Sequence, residues 1–254
     1  MVYEVLGKIR AIRRQWCVCE AAQIAKCQHE AKTSQAELEG RAIQFLMRCG
    51  IHIGKYPKMT FEAWDIDRHP KAGQEIEAVI SFTEEVKHEG PNLCFLYGGY
   101  GTGKTHLAVA ALRKITYDHI DDDGQGWKPY MVDWAEHCST VQQSWEKNDS
   151  EASLSEGQLW GMMKAADILM IDDIDKGRPT EWALGKLYEV VQRRYMQEKP
   201  TLVTGNHSIE TLQTLWAHKS RPEFVRDLGG AILSRFSGQL WGQIEFTGPD
   251  QRDI

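Results

Sequence analysis

The chain has 254 residues, 42% of them hydrophobic, which is enough for one sizeable core with a small appendage but too little for two full domains. Its formal net charge of −6 excludes a protein that coats nucleic acid by charge alone, because that mode needs a broad excess of Lys and Arg. The absence of any apolar run of about 20 residues, and of an apolar leader, predicts a soluble, cytoplasmic protein.

The N-terminal part of the chain predicts a small helical extension. Residues 20–48 lack proline and repeat apolar side chains at helical spacing, which favours one or two helices. Residues 51–70 contain two prolines and predict an irregular connector. We therefore expect an extension at residues 1–50 and one main domain at residues 51–254.

Short apolar runs alternate with helical patterns through the main domain. Helices are predicted at 76–86, 104–115, 134–145, 158–165 and 181–197, and strands at 93–97, 130–132, 168–171 and 201–204, the last being the final core strand. Such alternation predicts an α/β fold, in which a central parallel sheet lies between two layers of helices. The acidic stretch 121–126 reads as a surface loop.

A glycine-rich run joins the first predicted strand to the helix that follows it. The run matches G-x-x-x-x-G-K-S/T and consists of Gly98, Gly99, Tyr100, Gly101, Thr102, Gly103, Lys104 and Thr105. Glycines let backbone N–H groups turn around a β-phosphate, and the helix adds its positive N-terminal end. We expect Lys104 to reach the β- and γ-phosphates and Thr105 to ligate Mg²⁺. The run therefore predicts an ATP-Mg²⁺ site, with His106 on the helix surface beside the nucleotide.

A second motif places two acids at the end of a buried strand. Asp172 and Asp173 follow the apolar run 168–171, at the edge of the sheet where ligands bind in open α/β folds. Asp172 is expected to hold Mg²⁺ directly or through water, and Asp173 to orient and deprotonate the attacking water. A solvated turn is the alternative interpretation.

The strand at 201–204 ends in a polar amide, Asn206. If that strand lies between the strands of the two motifs, Asn206 points at the γ-phosphate, where it would polarise the water or report the loss of phosphate. A turn residue beside glycine is the alternative.

Several runs of the chain resemble one family, the DnaC-like replicative helicase loaders of bacteria and phages, which are AAA+ ATPases. They are GIHIGKYPKMTFEAWD from residue 50, GTGKTHLAVA from 101, IDDIDKGRPTEWALGKLYEVVQRRY from 171, PTLVTGN from 200, SRF from 234 and GPDQR from 248. The similarity covers residues 50–252, and the stretch after the two acids is more specific than a phosphate loop.

The resemblance implies an AAA+ P-loop NTPase that uses ATP to help place a hexameric replicative helicase on single-stranded DNA. The extension at 1–50 would contact the helicase, and copies of the chain would associate through ATP-bridged interfaces. Arg235 would be an arginine finger that reaches a neighbour's γ-phosphate. Arg221 and Arg226 compete for that role, and a surface salt bridge is the alternative. Arg252 would be a second sensor of the nucleotide, or part of a solvated tail.

The chain departs from the family at two places. Many relatives carry Glu where Asp173 stands, so hydrolysis is expected to be slow or to depend on a partner. Some loaders carry a zinc site near the N-terminus, but here the spacing of Cys17, Cys19, Cys27 and His29 is tighter than that of zinc sites. We therefore expect plain thiols or a degenerate remnant rather than zinc.

Positive charge accompanies an aromatic side chain at two places, as in grooves that bind single-stranded nucleic acid. Arg193 and Arg194 stand beside Tyr195, and a group of arginines stands before Trp16. Solvated helix faces are the commoner explanation of both groups.

Two other functions remain open from the sequence. An IstB-like transposition helper of the same fold would act on duplex DNA with a transposase. A metabolic NTPase or kinase would phosphorylate a small acceptor, but no acceptor-binding lid motif is present. A finger such as Arg235 has a use only between subunits.

Overall fold

Helices and strands alternate along the main domain, as the sequence pattern predicts. The computed structural model describes residue 40 and residues 58–86, 90–120, 126–146, 155–176, 180–218 and 221–250. The elements are α1 (Ala72–Glu85), β1 (Leu93–Gly98), α2 (Lys104–Asp118), β2 (Pro129–Asp133), α3 (Trp134–Glu146), α4 (Glu156–Ala165), β3 (Ile168–Asp172), α5 (Glu181–Met196), β4 (Thr201–Gly205), α6 (Ile209–Ala217), α7 (Glu223–Gly238) and β5 (Leu240–Phe246).

Several predictions fall outside these residues. They are the extension apart from Gly40, the domain boundary near residue 50, the four zinc candidates, the arginines before Trp16, and Arg252. Within the described ranges, every helix is too short or too polar to span a bilayer.

The five strands form one parallel sheet in the order β2-β3-β4-β1-β5. β4 therefore lies between β1 and β3, which meets the condition set above for Asn206. Because all strands run in one direction, the carboxyl ends of β1, β2, β3 and β4 lie side by side along one edge of the sheet, here called its carboxyl edge. Asp133 pairs with Asp172 in the register of β2 and β3 at that edge.

Successive residues of the central strands pack into two different hydrophobic cores. On one face, Cys94 and Leu96 pack with α1 and α2. On the other face, Phe95 packs with residues of the helices α3 to α7. Both faces of β1, β3 and β4 are covered, which explains why these strands read as nearly continuous apolar runs. The predicted three-layer α/β sandwich is thus confirmed.

The prediction that Thr201–Thr204 is the final core strand is wrong, because β5 pairs with β1 at an edge of the sheet. Most residues of β5 are only partly buried, so the strand lacks the continuous apolar run that marked the others. The helix that carries the SRF run extends from Glu223 to Gly238. Gly229 lies within this helix, and it is a glycine because a Cβ at that position would lie only 2.6 Å from the ring of Trp216 on α6.

Arg194 is a buried structural residue of α5, so it is not available to nucleic acid. Its guanidinium donates to the carbonyls of Met163 at 3.2 Å and Ala166 at 2.7 Å, and to Thr201 Oγ1 at 3.0 Å. Burial lowers the pKa of this guanidinium to about 9. Of the group at 193–195, only Arg193 and Tyr195 are exposed.

Candidate functional site

The glycine-rich run forms the loop between β1 and α2, and its glycines are required by geometry. Gly98, Gly101 and Gly103 have φ values of 144°, 65° and 98°, which side chains rarely adopt. A Cβ at Gly98 would also overlap the carbonyl oxygen of Phe246 on β5. The loop therefore tolerates only glycine at these positions.

Lys104, the first residue of α2, holds its ammonium inside this loop. Nζ donates to the carbonyl oxygens of Gly98 at 2.9 Å and Gly99 at 2.6 Å, and the residue is buried. Burial lowers the pKa of Lys104, and the nearby carboxylates of Asp173 and Asp175 oppose that shift. The cation is thus fixed where a phosphate bound in the loop would meet it.

Thr105 and Asp172, the two predicted metal ligands, are in direct contact. Thr105 Oγ1 donates to Asp172 Oδ1 at 2.9 Å, so the phosphate loop is joined to the end of β3. Thr204 on β4 donates to the same carboxylate oxygen at 2.6 Å and accepts from the backbone N–H of Asp173 at 2.8 Å. Burial raises the pKa of Asp172, while these hydroxyl donors oppose the rise. Thr204 was not predicted as a site residue, because its only signal in the sequence is its place near the end of a buried strand.

Three carboxylates converge beside the loop. Oxygens of Asp133, Asp172 and Asp173 lie within 4.8 Å of one another. Asp133 ends β2, and its Oδ1 also accepts from the backbone N–H of Glu136 at 2.9 Å. Carboxylate and hydroxyl oxygens are the hard ligands that Mg²⁺ prefers, so this donor set fits the ion. Asp133 was missed because nothing in its local sequence marks it.

Asp173, the second acid of the motif, has an unusual backbone and a charged partner. Its φ of 53° lies in the left-handed region, which is uncommon for residues other than glycine. The side chain is 14% exposed and forms an ion pair with Lys176, which follows on the same turn. The turn is closed by a hydrogen bond from Lys176 N to Asp173 O at 2.9 Å. A carboxylate is thus presented beside Asp172, with an ammonium on one of its oxygens.

Asn206 follows β4 at the same edge, next to the turn that carries Asp173. Its backbone N–H and its Nδ2 both donate to the carboxylate of Asp175, at 2.7 and 3.1 Å. The sequence-predicted residues Lys104, Thr105, Asp172, Asp173 and Asn206 therefore all lie at one edge of the sheet.

The described part of the connector before α1, residues 58–70, folds over the phosphate loop and α2. The guanidinium of Arg68 lies 3.7 Å above the ring of Trp64 and donates to the carbonyl of Thr102. His106 is half-buried, with Nε2 2.8 Å from the carbonyl oxygen of Thr60. The expectation that His106 lies on the helix surface is therefore wrong, because the connector covers that face of α2.

The end of the described chain returns to the phosphate loop. The Asp250 carboxylate occupies the space beside Gly101 that a Cβ would fill. Asp250 of the GPDQR run therefore lies at the loop, whereas Arg252 is outside the described residues.

Arg235 lies far from the loop of its own chain. The guanidinium donates to Tyr188 Oη at 2.9 Å and to the carbonyl of Ala231 at 2.8 Å, and it lies 4.6 Å from the centre of the Tyr188 ring. It lines a small cavity together with Leu93 and Thr201, the first residues of β1 and β4. Those residues lie at the amino ends of the strands, whereas the phosphate loop lies at the carboxyl ends. Arg235 is therefore not placed to reach a nucleotide in its own chain.

Comparison with known proteins gives one family and one curated relative of particular interest. The family model described as "AAA domain (dynein-related subfamily)" matches residues 94–236. The phage-like element PBSX protein XkdC of Bacillus subtilis (strain 168) is 34% identical over 137 residues, which are 51% of this chain and 45% of XkdC. The matches thus cover less than half the length of the curated relatives, between 38% and 45% of each.

Solved structures with a similar fold include three replication proteins. A crystal structure of DnaI has a TM-score of 0.56 at 19% identity, covering 76% of this chain and 90% of that one. A replication initiator DnaA bound to AMPPCP and single-stranded DNA has a TM-score of 0.55 at 20% identity, covering 76% of this chain and 51% of that one. A crystal structure of the DnaC helicase loader has a TM-score of 0.53 at 18% identity, covering 74% of this chain and 98% of that one. At these identities the likeness establishes the fold, and it agrees with the resemblance to DnaC-like loaders.

Proposed function

Because the chain belongs to the AAA domain family (dynein-related subfamily), we propose that it binds ATP with Mg²⁺ at the phosphate loop and hydrolyses it. The observation that carries this proposal is the hydrogen bond of 2.9 Å from Thr105 to Asp172. It brings together a hydroxyl of the phosphate loop and a carboxylate of the acidic strand, which are the two groups that hold the metal in P-loop NTPases.

Each group at the sheet edge has a chemical task in this proposal. The N–H groups of the loop and the ammonium of Lys104 bind the β- and γ-phosphates. Thr105 and Asp172 would hold Mg²⁺, and a carboxylate oxygen of Asp133 lies within 4.8 Å of one of Asp172. When bound, Mg²⁺ neutralises the charge that develops on the phosphate oxygens.

Hydrolysis needs a water aligned with the γ-phosphate and a group that takes its proton. Asp173 is the carboxylate proposed as that base, and Asn206 the amide that orients the water. Because Lys176 occupies one oxygen of Asp173, only the other oxygen is left to accept a hydrogen bond from the water. This supports slow hydrolysis in the isolated chain.

For the biological role, we propose a loader that binds a hexameric replicative helicase and helps place it on single-stranded DNA. The sequence runs shared with DnaC-like loaders and the fold shared with DnaI and DnaC support this role. Residues 1–50 would bind the helicase, residues 51–254 would form the ATPase domain, and ATP would bridge neighbouring copies of the chain. Arg235 would supply the finger across that bridge.

The loader role is tested by mixing the purified chain with its cognate replicative helicase. We expect the two proteins to co-migrate in size-exclusion chromatography and the ATPase rate to rise with single-stranded DNA. No complex and no stimulation would contradict the loader role. Stimulation by duplex DNA and complex formation with a transposase would favour the IstB-like alternative instead.

A further inference from the structure

Asp175 makes contacts that a solvated turn residue would not make. Its carboxylate accepts from the backbone N–H and the Nδ2 of Asn206, at 2.7 and 3.1 Å. It also accepts from the backbone N–H and the Nδ1 of His207, at 3.2 and 2.8 Å. The Asp175 side chain is only 5% exposed, whereas that of His207 is 47% exposed. The turn after β3 is thus bound to the turn after β4 through one buried carboxylate.

These contacts decide which way the Asn206 amide faces. An ionised carboxylate can only accept hydrogen bonds, so the NH₂ end of the amide must face Asp175. The opposite atom, Oδ1, is buried and has no hydrogen-bond partner among the described residues. A buried acceptor without a partner is costly, so this oxygen is suited to receive a donor from a ligand.

We propose that Asp175 is a positioning residue for ATP hydrolysis, which orients the amide of Asn206 so that Oδ1 accepts a hydrogen bond from the attacking water. The inference rests on the proposed hydrolysis of ATP at this site. Asp173, two residues before Asp175 on the same turn, supplies the second acceptor for that water. One turn therefore carries both groups, and within it the side chain of Asp175 is 5% exposed and that of Lys176 is 43% exposed.

Removing the charge of Asp175 distinguishes a role in positioning Asn206 from a role in binding ATP. Asp175 is one of the carboxylates whose negative charge acts on Lys104, close to where the triphosphate would bind. Removing that charge relieves repulsion with the phosphates. A neutral replacement is thus expected to bind ATP at least as tightly as the wild type while hydrolysing it more slowly.

The experiment compares Asp175→Asn, Asn206→Asp and the double exchange with the wild type. In Asp175→Asn, the new NH₂ group opposes the donors of Asn206, and we expect kcat to fall by about ten- to a hundredfold. In Asn206→Asp two carboxylates face each other, so the orientation of the side chain at position 206 is also lost.

The double exchange reverses the polarity of the pair. The new amide at position 175 donates to the new carboxylate at position 206, which again offers an oxygen to the water. The net charge of the pair is unchanged, and we expect kcat to recover above both single variants.

The readouts are kcat, the Kd for ATP-Mg²⁺ from direct titration, and the thermal midpoint. Asp118→Asn is the matched control, because it makes the same change from carboxylate to amide in a surface ion pair with Lys114, and it should hydrolyse ATP at the wild-type rate. Wild-type turnover in Asp175→Asn, or a double exchange no faster than the single variants, would overturn the inference. So would a loss of ATP binding in Asp175→Asn that parallels its loss of turnover. A wild-type chain that binds no ATP would instead overturn the proposed function, and the inference with it.

Discussion

At the scale of single residues, Lys104 illustrates how the site is prepared before a phosphate enters. Its ammonium is bound to two carbonyl oxygens of the loop, and three acidic side chains lie near enough to act on its charge. Such a cation is already oriented, so binding a phosphate requires only that weak carbonyl contacts be exchanged for a stronger ionic one. The residue is thus expected to matter for binding far more than for folding.

We predict that Lys104→Ala abolishes ATP binding with little change in the stability of the free protein. The carbonyls of Gly98 and Gly99 lose a donor, but both residues are at least partly exposed and water can replace it. Differential scanning fluorimetry checks this, because a ligand that binds the native state raises the melting temperature. ATP-Mg²⁺ should raise it for the wild type and not for the variant.

Lys114→Ala is the control for this prediction. Lys114 lies on the same helix and pairs with Asp118 on the surface. Its variant should keep the full response to ATP-Mg²⁺. A Lys104→Ala protein that still responded would contradict the assignment of the loop.

At the scale of elements, α5 is attached to the sheet by a buried cation as well as by apolar packing. Arg194 satisfies carbonyls at the end of α4 and in the loop that leads into β3, and it also contacts the first residue of β4. Met163 lies in the last turn of α4 and Ala166 directly follows that helix, where carbonyl groups have no donor further along the helix. The guanidinium supplies donors to both.

We predict that Arg194→Met destabilises the protein by roughly 3–5 kcal/mol, because several buried carbonyls lose their donor. Arg193→Met, at the preceding and exposed position, should change the stability by less than about 0.5 kcal/mol. Urea unfolding followed by circular dichroism gives both values. Equal effects of the two substitutions would show that the buried hydrogen bonds do not hold α5 in place.

At the scale of the whole molecule, the candidate site residues lie at both the carboxyl and the amino ends of the strands. The carboxyl edge carries the phosphate loop and the acids, whereas Arg235 is packed on Tyr188 near the opposite edge. An arginine so placed does not reach a nucleotide bound in its own chain, so the proposed finger role requires a second copy of the chain.

We predict that Arg235→Ala binds ATP normally but loses turnover in the assembled state, by about a thousandfold or more if the finger resembles those of other phosphate-loop enzymes. Mixing this variant with Lys104→Ala gives the decisive measurement. The first supplies an intact phosphate loop and the second an intact finger, so mixed assemblies should regain part of the ATPase rate that each variant lacks. If Arg235→Ala alone turned over at the wild-type rate, the finger assignment would be wrong. No recovery in the mixture would contradict its action between subunits.

Local sequence determined the phosphate loop, the acidic strand end and the central strands. Each of these features comes from one contiguous run of residues. The phosphate loop needs glycines that adopt positive φ, followed by a lysine and a hydroxyl at the start of a helix. The central strands, including the one that ends in the two acids, are covered on both faces and therefore consist of apolar residues. The same reasoning missed β5, since an edge strand is only partly buried and has no such run.

Only the tertiary structure decided the rest of the site. Asp133, Thr204 and Asp175 come from the ends of three different strands or their turns, and the Trp64–Arg68 connector covers the loop from a distant part of the chain. Their roles depend on which strands are neighbours in the sheet, and that order follows from packing and register across the whole domain. A residue type that is unremarkable in its own segment becomes part of the site because the parallel sheet brings strand ends, far apart in sequence, to one edge.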